Sequence, residues 1–222
     1  MTTVTAVILA GGKSRRFGSD KASALLAGRS LLQWVTDAVG QVAGEVVVVA
    51  AAGQQLPDIQ SAVPLRVVRD REPGLGPLAG MTAGFDAAAN EACLVVSCDA
   101  PLLVPELLQY LVESLGEHDA AIPEVGERRQ PLMAVYRRSR CEGAFRARLG
   151  AGHLSVNAAI DSLERLNSIA AGDLRKYDPD LLSFMGTNTR DDLARVEAAM
   201  LASQSTPGIG SGHGAEQPAD DS

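Results

Sequence analysis

The sequence predicts an α/β fold with a mostly parallel, doubly wound sheet and one antiparallel excursion. Three observations carry this. Short apolar runs suited to strands buried on both faces recur about every 20 to 30 residues through the first half, alternating with amphipathic stretches. Hydrophobic residues make up 46% and charged residues 21% of the 222, enough for a full core. Aromatics are only 4%, so that core is built from Val, Leu, Ile and Ala, which suits a sheet covered by helices.

Taken in order, residues 4–9 (VTAVIL) form the first strand. Ser30 opens a helix by the capping-box rule, with Gln33 three residues on and Leu31, Leu32, Val35, Ala38, Val39 and Val42 along one face. Residues 45–51 (EVVVVAA) and 65–70 (LRVVRD) are the next two strands. A Gly/Pro-rich loop, EPGLGPLAG, leads into a helix reaching about Asn90, and residues 93–97 (CLVVS) form a fourth strand. Pro105 suits the first turn of another helix through Leu115. Residues 120–125 and 132–138 read as strands around the polar turn 126–129, the expected antiparallel excursion. Helices are expected over 140–149 and 154–166, and a last one starts at Thr189, where Asp192 completes a capping pattern. Residues 1–202 read as one domain. From Ser203 to Ser222 the composition turns to Gly, Ser, Pro, Gln and Asp, a tail too poor in apolar groups to offset its ordering entropy.

Charge and cysteine usage narrow the function. The formal charge of −7 argues against nucleic-acid binding, and three of those charges (Glu216, Asp220, Asp221) fall in the tail. Cys93, Cys98 and Cys141 lack metal-ligand spacing and read as reduced thiols. The N-terminus has no charged leader pattern, and no apolar run approaches the ~20 residues that span a bilayer. A soluble, cytoplasmic protein with no membrane partner is expected.

The densest chemical signal is LAGGKSRRFGSDK, residues 9–21. Gly11 and Gly12 follow a buried strand directly, so the backbone can turn tightly and approach a ligand. Ligands of open α/β sheets bind beyond the carboxyl ends of the strands, where this loop emerges. Lys13, Arg15, Arg16 and Lys21 set four cations against the single carboxylate of Asp20, a pattern suited to a bound triphosphate. A P-loop would need Gly where Val7 stands, and the dinucleotide motif fails because Gly11 and Gly12 adjoin. The second signal is SCDAP, residues 97–101, in which Asp99 ends the fourth strand and is placed to hold Mg²⁺, the expected cofactor. Asp70 also ends a strand.

These segments, LAGGKSRRFGSDK, then GPLAG, SCDAP, QPLMAVY and TNT-DDL, resemble the molybdenum cofactor guanylyltransferase family, a branch of the nucleotidyltransferases, in order from about Val4 to Met200. The resemblance implies a Rossmann-like three-layer α/β/α fold of nucleotide-diphospho-sugar transferase type. It implies transfer of GMP from GTP to the phosphate of molybdopterin, with release of pyrophosphate. By the same resemblance the nucleotide contacts fall on Leu9, Ala10, Gly11, Lys21 and Asp70, and the metal ligand on Asp99; the loop and strand-end reading adds Gly12, Lys13 and Asp99 to the nucleotide side. The loop charges make Lys21, Arg15 and Arg16, with Asp99, the expected catalytic group, and the resemblance puts the acceptor side on Gln130, Pro131 and Asn188. Ala50, Ala51 and Gly186 depart from the family, which often carries Asn there. Transient contact with proteins that deliver molybdopterin or accept its product follows. The competing readings are a relative using CTP or another acceptor, and a nucleotide-binding cofactor chaperone without turnover.

Overall fold

The computed structural model describes residues 3–11, 21–70 and 74–205. Ten strands and seven α-helices follow one another in these segments. They are β1 (Val4–Leu9), β2 (Leu25–Leu26), β3 (Arg29–Ser30), α1 (Leu31–Val39), β4 (Glu45–Ala51), β5 (Leu65–Asp70), α2 (Pro77–Ala87), β6 (Ala92–Ser97) and α3 (Pro105–Ser114). Then come β7 (Ala120–Val125), β8 (Arg128–Arg129), β9 (Met133–Arg137), α4 (Arg138–Gly150), α5 (Val156–Ile160), β10 (Leu166–Ala170), α6 (Ala171–Leu174) and α7 (Arg190–Ser205).

The main sheet runs β10-β7-β9-β6-β1-β4-β5, with β8 paired to β7. Strands β6, β1, β4 and β5 are mutually parallel, as are β7 and β10, while β9 runs antiparallel between β6 and β7. The expected excursion is the reversed strand β9 with the short β8 before it, Gly126 and Glu127 turning into β8 at positive φ.

Each central strand is apolar on both faces because both are covered. On β1, Val4, Ala6 and Ile8 point toward α1 and α3, joining Leu32, Val35, Leu107 and Leu111. Val7 and Leu9 point the other way, toward α2, α4 and α5, joining Met81, Phe85, Phe145 and Ile160. Helix α2 comes close to β1 through Gly84, where a Cβ would lie 2.3 Å from Val7 Cγ1. These two half-cores make the three layers expected. Cys93 and Cys141 are buried free thiols in the α2 layer. Burial pushes the Cys93 thiol up to about 12, and raises that of Cys141 too.

Ser30 caps α1 by accepting from the Gln33 amide at 3.2 Å, as expected. The reciprocal half of that capping box is not made. The Gln33 side chain instead exchanges hydrogen bonds with the Gln60 backbone at 2.8 Å. A third apolar cluster, Leu26, Leu31 and Val196 with Trp34, Leu193 and Met200 against it, docks α7 on α1 and the β2–β3 hairpin.

The helix expected over 154–166 is corrected. Only Val156–Ile160 is helical, and Leu166–Ala170 is strand β10, parallel to β7. Asp119 supplies the reason. Its carboxylate accepts from the amides of Glu164 and Arg165 at 3.3 and 3.1 Å, and its own amide donates to the Arg165 carbonyl at 2.7 Å. Those bonds replace the helical ones and aim the chain along the sheet edge. At the C-terminus α7 runs to Ser205, past the expected start of the tail at Ser203. The rest of the tail lies outside the described residues, and among those described no helix is long and apolar enough to cross a membrane.

Candidate active site at the carboxyl edge of the sheet

The site follows from strand register. β1 and β6 are adjacent and parallel, with Leu9 opposite Ser97, and the Cys98 amide donates to the Leu9 carbonyl at 3.1 Å. The chain leaving β1 at Ala10–Gly11 and the chain leaving β6 at Cys98–Asp99 therefore emerge side by side. Both Ala10 and Gly11 donate their amides to the Val49 carbonyl on β4, at 2.8 and 3.1 Å. Space is tight at Gly11: a Cβ there would lie 3.0 Å from the Ala51 backbone nitrogen.

Lys21 returns to this edge at the start of a short 3₁₀ turn, residues 21–23. Its Nζ lies 3.0 Å from Asp99 Oδ2 and 2.6 Å from Asn188 Oδ1. The Lys21 and Asp99 side chains are 18% and 20% exposed, enough shielding to strengthen the pair and enough access for a ligand. Asn188 arrives from the far end of the sequence. Thr187, beside it, donates its amide and hydroxyl to the Asp99 carbonyl at 2.8 and 3.1 Å. Thr189 and Asp192 then cap α7 reciprocally, with bonds of 3.1 and 2.9 Å.

Gln130 and Pro131 stand on the same edge. They precede β9, whose first residue Met133 pairs with Val96, and the Ser97 amide donates to the Leu132 carbonyl at 3.1 Å. The Pro131 carbonyl accepts from Tyr136 Oη at 2.7 Å, which fixes the bend. Asp70 is placed apart. It ends β5 opposite Ala51, two strands from β1, or about 10 Å by strand spacing. There it lines a cavity of about 860 Å³ with Arg69, Thr82, Asp86 and Arg146 between β5, α2 and α4; neither Lys21 nor Asp99 lines it. Gly12, Lys13, Arg15 and Arg16 lie outside the described residues.

Two contributors carry weaker sequence signals. Gln54 donates to the Ala10 carbonyl at 3.0 Å and accepts from the Ala51 amide at 2.8 Å, joining the β1 and β4 ends. Arg69 in turn donates to the Gln54 carbonyl at 2.7 Å. A carboxamide just past a strand end is the only pattern that points to Gln54. Thr187 lies within the TNT segment, but its bond to Asp99 depends on tertiary contact alone.

A doubly wound sheet with a glycine turn, a lysine and an aspartate meeting at its carboxyl edge is the architecture of nucleotidyltransferases. Similarity to known proteins gives the family. Residues 6–195 match the MobA-like NTP transferase domain, and the chain belongs to that family. It is 35% identical over 204 residues to a molybdenum cofactor guanylyltransferase from Desulfosudis oleivorans, covering 91% of this chain and 98% of that one. It is 36% identical over 210 residues to a probable molybdenum cofactor guanylyltransferase from Pelotomaculum thermopropionicum, covering 94% and 98%. Among solved structures, molybdopterin-guanine dinucleotide biosynthesis protein A from Archaeoglobus fulgidus superposes with a TM-score of 0.73 at 26% identity, covering 89% of this chain and 99% of that one.

Proposed function

We propose that this enzyme transfers GMP from GTP to the phosphate of molybdopterin at the edge where Lys21, Asp99 and Asn188 meet. An acceptor phosphate oxygen attacks the α-phosphorus, the bond to the β-phosphate oxygen breaks, and pyrophosphate leaves with the electron pair. The nucleophile is already anionic, so no general base is needed, and positioning with charge neutralisation accounts for the catalysis. The observation that carries the reading is the ammonium of Lys21 held 3.0 Å from the Asp99 carboxylate, one strand from the glycine turn.

Asp99 fits a Mg²⁺ ligand. Its carboxylate is partly exposed at the edge, and Mg²⁺ takes one or two carboxylates with phosphate oxygens and waters. When bound, Mg²⁺ neutralises phosphate charge and orients the phosphates for in-line displacement. Lys21 contacts the α-phosphate, while Lys13, Arg15 and Arg16 hold the β- and γ-phosphates and the departing pyrophosphate. Backbone groups of Leu9, Ala10, Gly11 and Gly12, with Asp70 further along the edge, bind the nucleoside. Gln130 and Pro131 face the acceptor. Transient docking of proteins that deliver molybdopterin or take its dinucleotide belongs to the same reading, as do a single catalytic domain over residues 1–202 and a cytoplasmic location.

The nucleotide choice is tested by thermal shift with GTP, CTP or ATP and Mg²⁺. A ligand at 100 times its Kd stabilises by about 2.7 kcal/mol, so GTP should raise the melting temperature well above the other two. An equal response to CTP would contradict the guanine assignment.

A further inference from the structure

The resemblance puts Asn188 on the acceptor side, yet its side chain reaches Lys21. Oδ1 accepts from Lys21 Nζ at 2.6 Å, beside the 3.0 Å contact of the same ammonium with Asp99 Oδ2. The backbone around Asn188 is fastened on both sides. Thr187 is bonded to the Asp99 carbonyl, and the Asn188 amide donates to Asp192 Oδ2 at 3.1 Å within the α7 cap. Helix α7 is itself anchored by Val196, which is fully buried. Asp99 and α7 thus set where the carboxamide stands, across 167 residues of sequence from Lys21.

An ammonium and a divalent cation cannot share one carboxylate oxygen at ~3 Å without strong repulsion. If a metal took Asp99 Oδ2, Lys21 would lose that contact, and the neutral Asn188 oxygen would remain. We propose that Asn188 is a positioning residue for Lys21. It holds the ammonium in the pocket while Asp99 passes to the divalent cation, leaving the other N–H groups for the nucleotide phosphate. The inference rests on the reading of Asp99 as metal ligand and Lys21 as phosphate contact. It assigns Asn188 to the nucleotide half of the reaction, which an acceptor contact would not do.

The test is calorimetric titration of GTP with Mg²⁺ into the full chain, without acceptor, for four proteins: unmodified, Asn188→Ala, Lys21→Met and the double variant. A hydrogen bond to a charged group is of a size that makes Asn188→Ala weaken GTP binding about tenfold. If Asn188 works through Lys21, the double variant binds no more weakly than Lys21→Met alone. Asn188→Ala should leave the KM for molybdopterin unchanged and should melt, without ligand, near the unmodified chain. Unchanged GTP binding in Asn188→Ala overturns the inference alone, as does an additive loss in the double variant. Absence of GTP binding by the unmodified chain overturns the guanylyltransferase reading as well.

Discussion

In the proposed reaction Lys21 carries the largest functional weight of the residues described. Its ammonium touches the carboxylate of Asp99 and the carboxamide of Asn188. Lys21→Met keeps the aliphatic stem and removes the charge. A preorganised charge-stabilising donor is worth about 10²–10³ in rate, so kcat should fall by that factor. The melting temperature should move little, because a partly exposed ion pair contributes about 1 kcal/mol at most. Steady-state turnover with a melting curve on the same sample checks this. Near-normal kcat would remove Lys21 from its role. At this scale the sequence is informative where a residue follows directly from a strand end. Gly11 and Asp99 are legible because β1 and β6 are mostly apolar runs with fixed exits. Asn188 is legible only through family resemblance, since its contact with Lys21 depends on how α7 docks.

Elements divide between the two ends of the sheet, and the end away from the site holds a polar clasp. Glu45 begins β4 and is buried. Its carboxylate accepts from Thr5 Oγ1 on β1 and from the Ala89 amide beyond α2, both at 2.6 Å, and pairs with Arg66 on β5. Burial alone would raise its pKa, but the Thr5 and Ala89 hydrogen bonds and Arg66 outweigh it, so the value falls below the ordinary 4.5. A carboxylate whose folded value is depressed contributes stability above its unfolded value and loses it as pH falls through the folded one. Urea midpoints should therefore drop on acidification below about pH 4.5, and Glu45→Gln should flatten that drop while lowering stability at neutral pH. An acid slope unchanged by Glu45→Gln would contradict the clasp. Activity at neutral pH should survive, because the clasp sits at the opposite edge from Lys21. Elements are legible in proportion to burial on both faces. β1 and β4 read as strands at once. β10 does not: it forms the sheet edge, only Ile169 in it is buried, and the Asp119 bonds that direct it come from 45 and 46 residues away. The two-residue strands of the β2–β3 hairpin are too short to leave a period.

The whole molecule places one strand order in the service of one edge. Because β6, β1, β4 and β5 are parallel, four exits face the same side, and β9, by running antiparallel, brings its entry with Gln130 and Pro131 to that side as well. Helix α7 closes the arrangement by returning Thr187 to Asp99 and Asn188 to Lys21. The alternation of apolar strands with helices made this doubly wound plan readable. The position of Asp70 two strands from β1 was not, because a strand end reveals the edge on which a residue lies and not its distance along that edge. The most direct measurement is pyrophosphate release by the full chain given GTP, Mg²⁺ and molybdopterin, run beside Asp99→Asn. Release should require both substrates and fall by about 10²–10³ in the variant, which keeps the shape of Asp99 but not its charge. No acceptor-dependent release from GTP, or equal release by Asp99→Asn, would contradict nucleotidyl transfer at this edge.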